Sequence, residues 1–223
     1  DVAMTPGDFN ANSAATTRAI AAILDRGAVP IVLGGDDSVP IPVLRAFRDQ
    51  GDICIVQLDA HLDWRDERFG QQEGLSSPMR RASELPWVNE MAQIGLRGVG
   101  SGRDVDFADA RAFGSVLIGA EEVHETGVEA VLAKIPRADR YYIAFDIDAL
   151  DPTLAPGVLA PSFGGLTYYQ ASNLLRGVAR RGRVVGYNVV EVVPQADIAN
   201  RTSRVAARLT LNLLGKMSRN QFA

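Results

Sequence analysis

Two apolar runs in this chain end in the same way. Ile53-Cys54-Ile55-Val56-Gln57-Leu58 leads into Asp59-Ala60-His61-Leu62-Asp63, and Tyr141-Tyr142-Ile143-Ala144-Phe145 leads into Asp146-Ile147-Asp148. Each run reads as a buried strand. In extended backbone, residues two apart share a side, so Asp59, His61 and Asp63 can converge, and so can Asp146 and Asp148. Carboxylates left unpaired at the ends of core strands would repel one another and lose hydration. One or two hard divalent cations are the natural counter-charge. A single D-x-D could equally cap the loop or helix that follows it. A second cluster with a histidine between two carboxylates is not something a turn requires.

The rest of the chain alternates strand-like and helix-like segments. Strands are expected over Val29–Leu33, Ile53–Leu58, Ala92–Leu96, Ser115–Ile118, Tyr141–Phe145 and Arg183–Val190. Helices are expected over Ser13–Arg26, through Val43–Phe47, and over Pro78–Leu85, Val128–Ile135, Thr167–Arg180 and Arg201–Leu214. This alternation predicts an α/β fold, a mainly parallel sheet covered on both faces. Ligands of such sheets bind beyond the carboxyl ends of the strands, where both acidic clusters fall. The polar, aperiodic stretch from His61 to Ser77 reads as a long functional loop. No repeat or linker divides the chain, and a single domain spanning 1–223 is expected.

Bulk properties narrow the partners. The 223 residues are 47% hydrophobic and carry a net charge of −4, with no long basic block. Arg80-Arg81 and Arg180-Arg181 read as solvated helix faces, so no nucleic-acid partner is expected. No stretch suits a membrane span and no leader is visible, which fits a cytoplasmic protein. Cys54, the one cysteine, sits inside an apolar strand and reads as a small buried hydrophobe.

Four motifs stand in order along the chain. They are Gly34-Gly35-Asp36-Asp37-Ser38, Asp59-Ala60-His61-Leu62-Asp63, Phe145-Asp146-Ile147-Asp148-Ala149-Leu150-Asp151-Pro152 and Glu191-Val192-Val193-Pro194. In this order they resemble the ureohydrolases, the family of arginase, agmatinase and related guanidino-compound hydrolases. The stretch Asp1-Val2 through Gly7-Asp8 is similar to the agmatinase-like branch. The resemblance implies an arginase-like three-layer α/β/α fold with two Mn2+ ions per chain, other divalent ions such as Ni2+ being alternatives. It implies attack of a metal-bound hydroxide on a guanidinium carbon, releasing urea and an amine. It also implies a homo-oligomer, trimeric or hexameric, and a family region ahead of Asp1.

By the same resemblance Asp59, His61, Asp63, Asp146 and Asp148 are metal ligands. Asp63 and Glu191 are the catalytic candidates, and Glu191 would bind the cationic guanidino group of a small substrate. Such a carboxylate can accept paired N–H bonds from a guanidinium, or it can simply end its strand. Trp64 could stack on a cationic substrate, although packing is the commoner role of a tryptophan. Ser76 could hold a water in the pocket.

The match departs from the family in three places. Asp37 stands where the family has a histidine ligand. It is either a ligand or a helix N-cap or supporting acceptor, and both readings stay open. As a ligand it brings the six-residue set to five carboxylates, whose excess negative charge would raise the pKa of a bound water. The loop histidine of the family is missing, its place being Glu73-Gly74-Leu75-Ser76-Ser77-Pro78, and His124 reads as a surface residue. Val158 and Leu159 make the pocket wall more apolar than the family pattern. These departures leave room for a diverged, non-catalytic homologue that binds a small cationic ligand or assembles with an active relative.

Overall fold

The computed structural model describes residues 1–221. Six strands form one sheet: β1 (Ile31–Leu33), β2 (Ile53–Leu58), β3 (Val88–Leu96), β4 (Val116–Gly119), β5 (Arg140–Asp146) and β6 (Arg183–Val190). All pairings are parallel, in the order β1-β6-β5-β2-β3-β4. Among the described residues, eight α-helices connect and cover them: α1 (Phe9–Leu24), α2 (Pro40–Arg45), α3 (Pro78–Ser83), α4 (Asp104–Phe113), α5 (Ala120–Thr126), α6 (Val128–Lys134), α7 (Tyr168–Arg181) and α8 (Arg201–Gln221).

The strand sequences explain why both faces are covered. β2 is buried at every position, and its side chains divide by parity. Ile53 and Ile55 join a layer with Ile20, Val43, Leu44, Met79 and Ala110 from α1 to α4. Cys54, Val56 and Leu58 join Val123, Val131, Leu174 and Leu209 from α5 to α8 on the other face. A strand that packs on both sides has no polar face to show, so it reads as an unbroken apolar run. The result is the three-layer α/β/α arrangement expected of the sequence.

The topology creates a crevice at one place. After β2 the chain moves outward to β3 and β4, and after β5 it moves the other way to β6. β2 and β5 are neighbours, with Leu58 opposite Phe145. Adjacent strands whose connections diverge leave a gap at their carboxyl ends, the usual ligand position in open parallel sheets. Asp59 follows β2 there, and Asp146 ends β5.

Local chemistry fixes the strand ends. β3 carries a register shift at Gly95, whose φ is +105°. A Cβ at Gly95 would meet the carbonyl oxygen of Asp59 at 2.8 Å, so only glycine lets β3 lie this close to the acidic turn. Gly35 works similarly, at φ +86° with Val39 Cγ2 2.4 Å from where its Cβ would stand. Among the described residues, no helix is long and apolar enough to cross a membrane.

Several boundaries differ from the sequence expectation. β3 begins at Val88 rather than Ala92, because polar Asn89 and Glu90 are exposed near its amino end. α8 runs past Leu214 and Gly215 to Gln221, with Met217 buried on its extension. α1 starts earlier, at Phe9, where the Asp8 carboxylate accepts from the Ala11 amide at 2.9 Å.

Candidate metal and substrate site

The carboxyl ends of β1, β6, β5 and β2 bring the acidic residues together. Asp37, Asp59, Asp63, Asp146, Asp148 and Glu191 are all buried. Two groups of ligand atoms lie within 4.8 Å of one another: Asp59, His61 and Asp148 in one, and Asp37, Asp59 and Asp63 in the other. Asp59 belongs to both. Asp146 belongs to neither group; it lines the same cavity, and its Oδ1 caps the following 3-10 turn by accepting from the Asp148 amide at 2.7 Å.

Backbone amides and side chains fix each carboxylate. The His61 amide donates to Asp59 Oδ1 at 2.6 Å, and the Ala60 amide to Asp148 Oδ1 at 3.1 Å. His61 Nδ1 lies 3.0 Å from Asp148 Oδ2. Gln57, on β2, donates its amide Nε2 to both Asp59 Oδ2 at 2.8 Å and Asp63 Oδ2 at 2.7 Å. Gln93, opposite it on β3, donates to Gln57 Oε1 at 2.6 Å and to the Leu62 carbonyl at 2.7 Å, and Ser115 donates to Gln93 Oε1 at 3.0 Å. A buried amide chain therefore orients two of the carboxylates. Sequence reasoning missed both glutamines, although an amide inside an otherwise apolar strand run is a visible signal.

Asp63 and Glu191 have left-handed backbones, with φ of 52° and 65°. Non-glycine residues in this region carry a conformational cost that surrounding structure must hold in place. For Glu191 the hold is explicit. Its amide donates to the Gly35 carbonyl at 3.0 Å, and its Oε1 accepts from the Asp37 amide at 2.9 Å.

Asp37 is not a helix cap. α2 has Val39 at its N-cap with no side-chain capping bond, and the turn before it is closed by Asp36, whose Oδ1 accepts from the Ser38 amide at 3.1 Å. The Asp37 carboxylate instead joins the acidic group, and its Oδ2 is buried with no hydrogen-bond partner among the described residues. Burial pushes this carboxyl well above the usual range, reinforced by repulsion from Asp63, Asp59 and Asp146. Asp59, Asp63 and Asp146 are raised for the same two reasons, burial first. Burial lowers the His61 imidazole, but its bond to Asp148 outweighs that and leaves it above its ordinary value. Burial also raises Glu191.

These residues fit divalent cations. The donors are carboxylate oxygens and one imidazole, a set that suits hard or borderline ions. The orphaned Asp37 oxygen is a further observation in favour, because a buried carboxylate oxygen without a partner needs one.

A cavity of about 530 Å³ opens over the cluster, lined at its base by Asp37, His61, Asp63, Asp146, Asp148 and Glu191. Ser76 lines it too, and its hydroxyl accepts from Arg68 Nη1 at 3.0 Å. Trp64 reaches the cavity wall but is only 2% exposed, in the α1–α4 layer with its ring 5.9 Å from that of Phe113. It is therefore packed as a core residue rather than presented as an open platform for a substrate. His124 lies on α5 outside this lining, its Nε2 beside the Gly165 carbonyl at 3.0 Å. A larger hollow of about 1040 Å³ opens at the amino ends of the strands, among Asp52, Glu90, Arg137 and Arg140, and contains none of the cluster residues.

Arg97, just after β3, is a second feature that sequence reasoning missed. Its guanidinium donates to the carbonyls of Asp148 at 2.7 Å, Leu150 at 3.2 Å and Ser162 at 2.8 Å, among others. It clamps the 3-10 turn Ile147–Ala149, which carries Asp148, to the loop forming one cavity wall.

Fold and site together define a parallel α/β protein with a carboxylate-rich cluster at its switch point, and the chain belongs to the arginase family. The model of that family matches residues 1–215. The chain is 40% identical over 194 residues to the guanidinopropionase of Pseudomonas aeruginosa, covering 84% of this chain and 60% of that protein. It is 36% identical over 198 residues to the guanidinobutyrase of the same organism, covering 86% of this chain and 61% of that protein. The chain thus spans about 60% of the length of these relatives. The solved structure of proclavaminate amidino hydrolase from Streptomyces clavuligerus superposes with a TM-score of 0.88 at 30% identity, covering 98% of this chain and 74% of that one.

Proposed function

We propose that this chain carries the active site of a metal-dependent hydrolase that cleaves a C–N bond of a guanidino or amidino compound, releasing urea and an amine in the guanidino case. One observation carries the reading: two ligand groups share Asp59 beneath a cavity that Glu191 also lines. The relatives named guanidinopropionase and guanidinobutyrase support the same substrate chemistry.

Asp37, Asp59, His61, Asp63, Asp146 and Asp148 would hold the cations. Five carboxylates and one imidazole suit Mn2+, and Ni2+ is a poorer match to so much oxygen. When bound, two such cations supply the charge that lets water act as a nucleophile near neutral pH. Glu191 accepts N–H bonds from the guanidinium and fixes its carbon over the carboxylate floor. Gln57 occupies Asp63 Oδ2, which leaves Oδ1 to receive the proton from the attacking water. That proton passes to the departing nitrogen as the C–N bond breaks. The same reading carries a cytoplasmic homo-oligomer, trimeric or hexameric, which sedimentation and cell fractionation test.

The functional test is urea release across guanidino compounds, with Mn2+ and Ni2+ added separately, alongside metal analysis of the purified protein. The expected result is about two ions per chain, as in two-metal hydrolases, with urea formed. Asp37→His should change metal affinity and raise activity, because it removes one excess negative charge from the ligand set. Substoichiometric metal with no urea from any compound would identify a non-catalytic homologue instead.

A further inference from the structure

The mouth of the cavity is charged differently from its floor. Three arginines line it: Arg65, Arg68 and Arg103. Two of them are already spent on one buried carboxylate. Arg65 Nη1 lies 2.9 Å from Asp106 Oδ2, and Arg103 Nη2 lies 2.7 Å from Asp106 Oδ1. Arg68 is different. Among the described residues it has no carboxylate partner; its Nη1 donates to Ser76 Oγ at 3.0 Å, and its guanidinium lies 5.4 Å from the Phe69 ring centroid. A guanidinium has five N–H donors in a planar fork, so most of this one remains uncommitted.

Arg68 is also held in position. Its amide donates to the Gln71 carbonyl at 2.9 Å, and the Gln71 amide returns the bond at 3.0 Å. The two residues between them, Phe69 and Gly70, have φ of 53° and 80°. Positive φ at both central positions is the type I′ turn of a tight two-residue hairpin. The Arg65 amide donates to the Ser76 carbonyl at 2.9 Å and closes the base of the loop. Glu67, the nearest acid on the loop, folds back so that its Oε1 accepts from the Gly70 amide at 2.5 Å. The loop therefore offers a pre-oriented cation toward the cavity and turns its own anion onto its backbone.

We propose, resting on the hydrolase reading above, that the substrate is an ω-guanidino carboxylate whose carboxylate end is taken by Arg68 while its guanidinium end sits on Glu191. A guanidinium and a carboxylate match in planar, bidentate geometry. Leu75, Leu159 and Ala160 line the same cavity and offer apolar surface for a short methylene linker. A tail ending in an ammonium, as in agmatine, would instead bring a like charge toward Arg68. Arg68 thus selects by the sign of the tail. Because Arg68 is exposed, the attraction is screened by salt.

The test compares 3-guanidinopropionate, 4-guanidinobutyrate and agmatine with the manganese-loaded full chain, for the native protein, Arg68→Gln and Arg68→Glu. The native protein should prefer the two acids in kcat/KM. Arg68→Gln should raise KM for the acids by about two- to fivefold, the range for a charge pair at an exposed site, with kcat nearly unchanged and the KM for agmatine lowered. The KM gap should narrow as salt rises, and Arg68→Glu should turn the preference toward agmatine. Calorimetric titration of 4-guanidinobutyrate and of butylguanidine, which lacks the carboxylate, supplies a readout that needs no turnover. The native protein should bind the acid more tightly, and Arg68→Gln should equalise the two. If the three guanidino compounds give no urea while titration still shows the Arg68-dependent preference, the hydrolase reading fails and the subsite stands. Equal effects of Arg68→Gln on acids and agmatine, or none on either, overturn the subsite.

Discussion

The amide of Gln57 is the sharpest test of how the acidic cluster is held. Replacing Gln57 with Met keeps the length of a fully buried side chain and removes only its polar atoms, so the packing change should stay below about 1.5 kcal/mol. The polar loss is larger. Nε2 spans Asp59 Oδ2 at 2.8 Å and Asp63 Oδ2 at 2.7 Å, while Oε1 takes the Gln93 amide at 2.6 Å. Hydrogen bonds to charged groups are worth about 1.5–3 kcal/mol each and do not add in full, so about 2–4 kcal/mol should be lost. For a chain of this size that lowers Tm by roughly 4–16 °C. Cations should feel the change too. Burial and repulsion push Asp59 and Asp63 upward, and the amide favours their ionised forms, which are the forms that bind metal. Loss of such a supporting bond typically weakens metal binding by about 10- to 100-fold. Differential scanning fluorimetry and manganese titration of Gln57→Met read the two effects separately. A variant that melts within about 2 °C of the native protein and binds manganese within about twofold would show that the amide does not orient the cluster.

Three further outcomes follow from burial and charge. Trp64→Ala should cost about 3–5 kcal/mol in denaturant unfolding, because the ring is packed against Phe113; an unfolding midpoint near native, with only KM raised, would restore the substrate-stacking role. Asp106 is raised by burial, but its bonds with Arg103 and Arg65 outweigh this and leave it below the ordinary value of 3.8. Its stabilisation is therefore present above that value and lost as pH falls through the lower folded value. The stability gap between native protein and Asp106→Asn, about 1–3 kcal/mol at neutral pH, should shrink in acid; a gap that widens there contradicts the assignment. Burial pushes the Cys54 thiol up to about 12, so a thiol reagent at pH 8 should label the native protein only at its unfolding rate, and rapid labelling would show that β2 is open.

The parts of the fold that could be read from sequence are those where burial is complete. β2 and β6 match their expected limits, since strands packed on both faces leave mostly apolar runs, interrupted here by Gln57 and Asn188. The amino half of β3 was hidden because Asn89 and Glu90 face solvent there. At the site, the D-x-D and D-x-H-x-D spacings marked residues that do meet, but not through extended periodicity: Asp148 sits on a 3-10 turn, Asp63 has a left-handed backbone, and the ligand groups mix residues of both motifs with Asp37. Asp37 could be placed next to the cluster only from the structure, since a lone aspartate before a helix is equally a cap. Arg97 was unreadable for a different reason: its partners are backbone carbonyls, which carry no residue signature. Gln57 and Gln93 announce themselves as amides in apolar runs, but their partnership depends on β2 and β3 lying side by side, a fact of topology rather than of spacing.

The bond between Glu191 Oε1 and the Asp37 amide has a mechanical consequence. On the proposed reading, a guanidinium arriving at Glu191 would share that carboxylate with the loop that carries Asp37, so one peptide N–H would link the substrate-binding residue to a candidate metal ligand.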